Sequence, residues 1–525
     1  MRAEEAGSSA ARDAARAAEP AVRRVEREAR PGAPDSVSRA KPAPACAFVI
    51  FGVTGDLTGR KLIPALYQLA AKGELNEGSV IVGHARREMT DDELRAYLLD
   101  KVAAEVPDLD AGVWERLAAR ISYVQGDYES ADGFVRLAQK LAGLDVAGTI
   151  FYTATPPEVY ATIARSLAEA GLARPAPGRF ARLVVEKPFG TDEASAKELN
   201  ALLLEHFDES QLFRIDHYLA KETAQNLGVL RFANSMFEPV WNNRYVDHVQ
   251  ITMIEPMGME GRGRFYESAG VLRDVFQNHL LQLLALMAME PPVRFDARAV
   301  RDEKVKLFSA VSCPSPADTV FGQYVAGNGA VGYRQEKDVD PNSKQATYAA
   351  MQLRVENWRW SGVPFYLRSG KRLEAKASEI VLQFKAPPHV PFALSAPVHA
   401  DRLVMRIMPD EGMTIRFNGK RPGQKVELDR IGLDFSYGES FAGAIPDAYE
   451  TLILDVMNGD ATLFMRADEV EAQWRIVAPV LAYLEERRPT PAFYEAGGRG
   501  PQQAYALLES AGREWKRPAG VRRGD

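Results

Sequence analysis

From Ala47 onward, short β-rich apolar runs alternate with amphipathic helical stretches, and nothing else in the chain restricts its fold as strongly. The runs lie at 47–51 (AFVIF), 80–83 (VIVG), 121–124 (ISYV), 149–152 (TIFY), 183–185 (LVV) and 212–215 (LFRI). Helical patterns fill the gaps at 57–72, 91–104, 131–142, 157–170 and 191–206, with Gly73 and Gly171 where helix C-caps belong. Near-continuous apolar strands separated by helices mean a parallel sheet covered on both faces. Six such units make an α/β, Rossmann-like doubly wound domain over residues 46–216. Its ligand belongs off the C-terminal ends of the strands.

After residue 217 the rhythm changes. A long helical pattern at 271–289 precedes strands at 381–385, 403–408, 413–417 and 425–428, with Gly and Pro between them, and helices return at 447–457 and 469–485. This reads as a larger α+β domain, residues 217–490, with a mainly antiparallel sheet. Residues 491–525 read as a C-terminal tail, with a docking segment at 505–508. Residues 1–45 hold nine Lys/Arg and seven Asp/Glu around one weak apolar pair, Val22 and Val25. That composition predicts a disordered extension, and its acids argue against a transit peptide.

At 525 residues the chain is too long for one core. A net charge of −6 gives no reason to expect nucleic acid or an anionic membrane as partner. No apolar run nears the roughly 20 residues of a membrane-spanning helix. Cys46 and Cys313 are the only cysteines and have no metal-ligand spacing, so no metal site or disulfide framework is expected, and a reducing, cytoplasmic setting is.

Strand one runs into Gly52-Val53-Thr54-Gly55-Asp56-Leu57, with Gly59, Arg60 and Lys61 just beyond. Glycines here let a backbone approach a pyrophosphate, and the helix start offers free N–H groups. A bare G-x-x-G is also an ordinary strand–helix turn. Strand two ends in Arg86-Arg87 where NAD sites carry an acid. A solvated arginine pair on a loop is a common alternative; given a dinucleotide site, the pair favours the 2′-phosphate of NADP. Glu186-Lys187-Pro188 closes strand five and can fix a cation above the cleft, or can be a plain turn.

Strand six enters Arg214-Ile215-Asp216-His217-Tyr218-Leu219-Ala220-Lys221-Glu222. His217 and Lys221 fall on one helical face, and with Tyr218 they make donors for a phosphate. A capping Asp in a surface charge run has the same pattern. His279 lies on the apolar stripe of the 271–289 helix, where a satisfied core histidine is the commoner meaning. Asp274, Gln277 and Asn278 make that stretch unusually polar, and Asp216 reaching His279 would complete a carboxylate–imidazole general base.

With GVTGDLTGRKL, EKPFG, RIDHYLAKE, DVFQNHLLQ and GVPFYLRSGKRL in this order, the chain resembles the glucose-6-phosphate dehydrogenase family from about residue 46 to 490. The resemblance implies oxidation of C1 of glucose 6-phosphate with NADP. It implies His279 as base with Asp216 as its partner, and His217, Tyr218 and Lys221 on the sugar phosphate. Glu255, Asp274, Lys371 and Lys376 would lie on the substrate side, and Lys187 would touch both substrate and cofactor. Gly52, Thr54, Gly55, Asp56, Leu57, Arg86 and Tyr152 match cofactor positions, with Lys61 close by. A homodimer or homotetramer built on the second sheet is implied. Ala220 stands where the family usually has Gly, Met408 where Gln is common, and Lys376 and Ala377 where animal members carry Arg and Lys. An oxidoreductase of free sugars, a non-catalytic NADP or sugar-phosphate sensor, and an interaction scaffold are the competing readings.

Overall fold

The computed structural model describes residues 43–392, 398–441 and 445–518. The expected disordered extension lies, through residue 42, outside the described residues.

The alternation resolves into strands β1 (Cys46–Phe51), β2 (Val80–Ala85), β3 (Ile121–Gln125), β4 (Gly148–Thr153), β5 (Phe180–Val185) and β6 (Leu212–Ile215). They pair in parallel in the order β3-β2-β1-β4-β5-β6. The order reverses beside β1, so the crevice opens off the ends of β1 and β4. All six residues of β1 are buried because helices cover both faces of the sheet.

The second sheet uses β7 (Val246–Ile254), β8 (Thr319–Val325), β9 (Tyr348–Arg354), β10 (Pro364–Gly370), β11 (Ala377–Phe384), β12 (Arg402–Met408), β13 (Gly412–Lys420) and β14 (Leu428–Ser436). It is antiparallel except where β7 meets β10 and at one outer edge. The strand expected at 425–428 instead starts at Leu428. Residues 421–427 form the preceding turn, where Arg421 N–H donates to Glu427 O at 2.7 Å and the Arg421 guanidinium forks onto Asp429.

Two expected boundaries are crossed. Phe464–Met465, here β15, adds antiparallel to β6, so the first sheet has seven strands. Phe464 packs edge-on against Phe213 at 4.9 Å between ring centroids. The helix Ala448–Asn458 also packs into the first domain, burying Leu452, Ile453, Val456 and Met457 beside Leu66 and Leu69. Nor is the stretch from 491 a tail. Ala492–Glu495, β16, pairs in parallel with β8, the helix Gln502–Glu509 follows, and Trp515 is buried with its indole N–H donated to Ala504 O at 2.8 Å. Apolar anchors of one or two residues carry too little periodicity to be recognised in a sequence.

Candidate active site

The end of β6 and one helix of the second domain bring the candidate residues together off the strand ends. That helix starts after Gly270, whose φ of 59° breaks it from the preceding turn. Residues Leu272–Leu280 then wind with i→i+5 bonding before ordinary α geometry resumes at Leu281–Ala288. The expected helix at 271–289 is therefore widened over its first half. Asn278 supports the widening: its Nδ2 donates to Arg273 O, five residues back, and its Oδ1 accepts from His279 N–H. Such widened turns gather at functional sites.

The widened segment brings His279 to Asp216. His279 Nδ1 and Asp216 Oδ1 are 2.5 Å apart, with both residues buried. Lys187 Nζ lies 2.9 Å from His279 Nε2 and donates to Asp274 O at 3.0 Å. Its ammonium is also 3.5 Å from the Asp274 carboxylate. Lys371 continues the chain, 3.9 Å from Asp274 and paired with Glu255. The His217 and Tyr218 rings sit 4.7 and 4.4 Å from the His279 ring. Tyr218 OH meets Ser378 Oγ at 3.2 Å, a residue the sequence did not mark. Lys221 acts on His217 through charge, while Lys376 stands exposed before β11 and joins none of these contacts.

These neighbours set the protonation states. Burial opposes ionisation of Asp216, but His279, His217 and Lys187 outweigh it and hold the carboxyl down to about 2. Burial lowers His279 below its ordinary value. Asp216 counters this, and Lys187 adds to it. Burial and the adjacent His279 push His217 well down. Burial would raise Asp274, yet Lys187 and Lys371 keep it low. Burial pushes Tyr218 up to about 12, so its hydroxyl keeps its proton. A neutral His279 with Nδ1–H on Asp216 leaves a lone pair at Nε2, the atom Lys187 now caps. Asp216, His217 and His279 each offer one donor atom within 4.8 Å of the others. The Asp216 and Lys187 contacts already engage both His279 ring nitrogens, and the neighbouring ammonium opposes a metal cation there.

The opposite wall follows β1. Gly52 has φ 80°, and a Cβ on it would lie 2.3 Å from Ala154 O, so only glycine fits this turn. Gly55 N–H donates to Gly52 O at 2.8 Å, and Tyr97 OH donates to Thr54 O at 2.9 Å. Asp56 is exposed beside Arg60, with Leu57 half-buried at the helix start. Arg86 and Arg87 are exposed just past β2 with no ion pair among the described residues. The glycine cradle and the unpaired arginines fit a phosphorylated dinucleotide.

Two of the residues expected to face the cofactor depart from a simple lining. Tyr152 is buried, its hydroxyl donated to Glu186 at 2.6 Å, so its side chain faces inward. Lys61 Nζ reaches Asp447 at 3.0 Å. Asp447 caps the 448–458 helix, whose Tyr449 also donates to Glu186, at 3.2 Å, and lies parallel to His217 with 6.4 Å between ring centroids. The sequence marked Glu186 only as part of the Glu186-Lys187-Pro188 turn, and it did not mark Asp447 or Tyr449. The one available signal was the PDAYE helix start, which looks like an ordinary cap.

The family description "Glucose-6-phosphate dehydrogenase, NAD binding domain" matches residues 49–226, and its C-terminal domain counterpart matches 228–516. The chain is 45% identical over 488 residues to glucose-6-phosphate 1-dehydrogenase 2 of Mycobacterium tuberculosis strain H37Rv, covering 90% of this chain and 95% of that one. It is 43% identical over 493 residues to glucose-6-phosphate 1-dehydrogenase of Aggregatibacter actinomycetemcomitans, covering 91% and 98%. A solved glucose-6-phosphate dehydrogenase in complex with its substrate glucose 6-phosphate superposes with TM-score 0.85 at 36% identity, covering 91% of this chain and all of that one. The crystal structure of glucose-6-phosphate 1-dehydrogenase from Mycobacterium avium gives TM-score 0.81 at 38% identity, over 91% and 99%.

Proposed function

Because the chain belongs to the glucose-6-phosphate dehydrogenase family, we propose that Asp216 and His279 form its catalytic pair and that the crevice divides into a sugar-phosphate half and a cofactor half. The reaction is oxidation of D-glucose 6-phosphate at C1 to 6-phospho-D-glucono-1,5-lactone, with NADP as oxidant. The observation that carries the residue assignment is the 2.5 Å contact between Asp216 and His279 beneath Lys187.

His279 Nε2 takes the proton of the C1 hydroxyl, which replaces the Lys187 ammonium at that atom. Asp216 holds Nδ1–H, fixes the tautomer and stabilises the imidazolium that forms. Burial keeps the ring neutral near pH 7 and ready to accept. His217, Tyr218 and Lys221 bind the phosphate, a remote handle that aligns C1 with the base. Glu255, Asp274 and Lys371 take sugar hydroxyls, with Lys376 at the rim. Lys187, released from His279, bridges the two halves. Gly52, Thr54, Gly55, Asp56 and Leu57 border the pyrophosphate, and Arg86 takes the 2′-phosphate. Lys61 lies beside them, and Tyr152 acts from beneath through Glu186. Bound NADP supplies the hydride acceptor.

The residue division at 46–216 and 217–490 serves as a working description of cofactor and substrate domains, with the exchanged segments noted above. A cytoplasmic homodimer or homotetramer built on the second sheet fits the family. Among the described residues no helix is long and apolar enough to cross a membrane. Initial rates of nicotinamide reduction test the reading, comparing glucose 6-phosphate with glucose and NADP with NAD. Fast turnover is expected only with the phosphate ester and NADP. Comparable turnover of free glucose would reject the phosphate site.

A further inference from the structure

A cavity of about 720 Å³ lies behind the His279 helix, away from the crevice. Its walls are the turn 267–273, the loop 340–346 and the end of the helix Ala467–Arg487. A second cavity, of about 870 Å³, opens onto Lys187, Asp274 and Asn278. The two share Ser268, Ala269 and Arg273 as a common wall. Arg273 is thus in both, and its side chain joins two elements. Its Nε donates to Thr191 O at 2.7 Å, in the loop that carries Lys187, and its guanidinium pairs with Glu485 at 2.5 Å. Its own carbonyl is held by Asn278, and the next residue is Asp274, the partner of Lys187.

The charges in the first cavity are unevenly satisfied. Glu267 already accepts from Tyr333 OH and from Ser343 Oγ. Glu485 is spent on Arg273, but its side chain is 62% exposed, so that pair is readily exchanged. Lys344 and Arg488 line the same cavity with no acidic partner among the described residues. The Lys344 ammonium meets only the Arg488 carbonyl, at 3.0 Å. An incoming anion can therefore take Arg273 from Glu485 and gain two further cations. Asp340, the third acid of the lining beside Glu267 and Glu485, already accepts from Asn342 N–H at 2.8 Å. The volume suits a small metabolite, and the three lining cations Arg273, Lys344 and Arg488 suit a phosphoanion.

We propose that this cavity is a second, regulatory site for a small phosphoanion, which draws Arg273 from Glu485 and so loosens the tie between the Lys187 loop and the helix Ala467–Arg487. The inference rests on the function proposed above for its kinetic readout. Occupancy lowers kcat, because Lys187 and Asp274 lose the support that positions them.

Inorganic pyrophosphate is the probe, with sodium chloride at matched ionic strength as control. At saturating glucose 6-phosphate and NADP, millimolar pyrophosphate is expected to lower kcat about twofold or more, within the usual range of coupling between sites. The double variant Lys344→Ala/Arg488→Ala keeps the basal rate and needs about tenfold more pyrophosphate. Glu485→Gln, which removes the competing carboxylate, binds pyrophosphate more tightly by calorimetric titration, while its kcat, lowered already by loss of the ion pair, responds less to pyrophosphate. An effect reproduced by sodium chloride, one confined to the KM for glucose 6-phosphate, or one identical in the double variant overturns the site. If the parent protein turns over no glucose 6-phosphate, the functional reading fails instead. Calorimetric titration of pyrophosphate into parent and double variant then decides the cavity alone: equal binding or none overturns it, and binding that the double variant loses upholds it.

Discussion

On the side of the crevice proposed for the sugar phosphate, buried and half-buried side chains hold one another in an unbroken series: Asp216 to His279, His279 to Lys187, Lys187 to Asp274, Asp274 to Lys371 and Lys371 to Glu255. On the side proposed for the cofactor the turn is main chain shaped by Gly52 and Gly55, and Arg86 and Arg87 stand exposed with no ion pair among the described residues. The difference follows from what each half must do. Proton transfer needs a dry, fixed imidazole, so His279 and Asp216 are buried and the charges around them are mutually paired. A dinucleotide must enter and leave as NADP and NADPH, so its site keeps a rigid backbone cradle and a few charges already wet. Substitutions in the first half should therefore strike chemistry, and those in the second should strike affinity in smaller steps.

The sharpest way to break this contrast is His279→Asn. Turnover is expected to fall by about 10²–10⁴ with substrate affinity nearly kept, since asparagine lacks the basic nitrogen. Single-turnover rates set against equilibrium binding read the two apart. A loss of binding with chemistry intact would remove His279 from the base role and merge the two halves. Lys221→Ala comes next. Losing a charge-assisted contact to the phosphate should raise the KM for glucose 6-phosphate about 10–100-fold at little cost in kcat, from about 1.5–3 kcal/mol. An unchanged KM would take the phosphate away from the 217–221 segment.

On the cofactor side, Gly52→Ala tests the cradle. A side chain in the left-handed region costs about 1–2 kcal/mol before any clash with Ala154 O. The KM for NADP should rise about tenfold while that for glucose 6-phosphate holds. Arg86→Ala should lower the NADP-over-NAD preference by a similar factor, and the wild-type preference should shrink with added salt because the arginine is exposed. A preference indifferent to both would place 2′-phosphate recognition elsewhere.

The two halves also differed in how far the sequence revealed them. The strand–helix alternation and the Gly52 turn set out the six strands and their doubly wound class, because apolar periodicity and glycine are local signals, while the strand order came only with the fold. Asp216 and His279 could be named as candidates, but 63 residues separate them and only the fold shows the contact. Tyr449 on Glu186, Ser378 on Tyr218 and the two-residue strand at Phe464 join positions more than a hundred residues apart. No periodicity marks such pairings. Lys376 shows the converse: a residue matched by motif that stands exposed just before β11, with no hydrogen bond or ion pair to the series above among the described residues.

The smallest effect is also the most diagnostic, because it separates the two charges acting on one ring. Burial lowers His279 below its ordinary value, Asp216 raises it and Lys187 lowers it. With His279 as the proposed base, the neutral ring is the form that accepts the proton, so kcat/KM for glucose 6-phosphate should fall as pH drops through the His279 pKa, with a midpoint below about 6.5. Asp216→Asn removes the raising charge, so the acid limb should move to still lower pH even as the rate falls. Lys187→Met removes the lowering charge, so the limb should move up, by about one unit or less. Opposite displacements from two neighbours of one imidazole are hard to obtain from general loosening of the fold, which would shift both variants alike. If both limbs move in the same direction, the ring that titrates is not the one lying between Asp216 and Lys187.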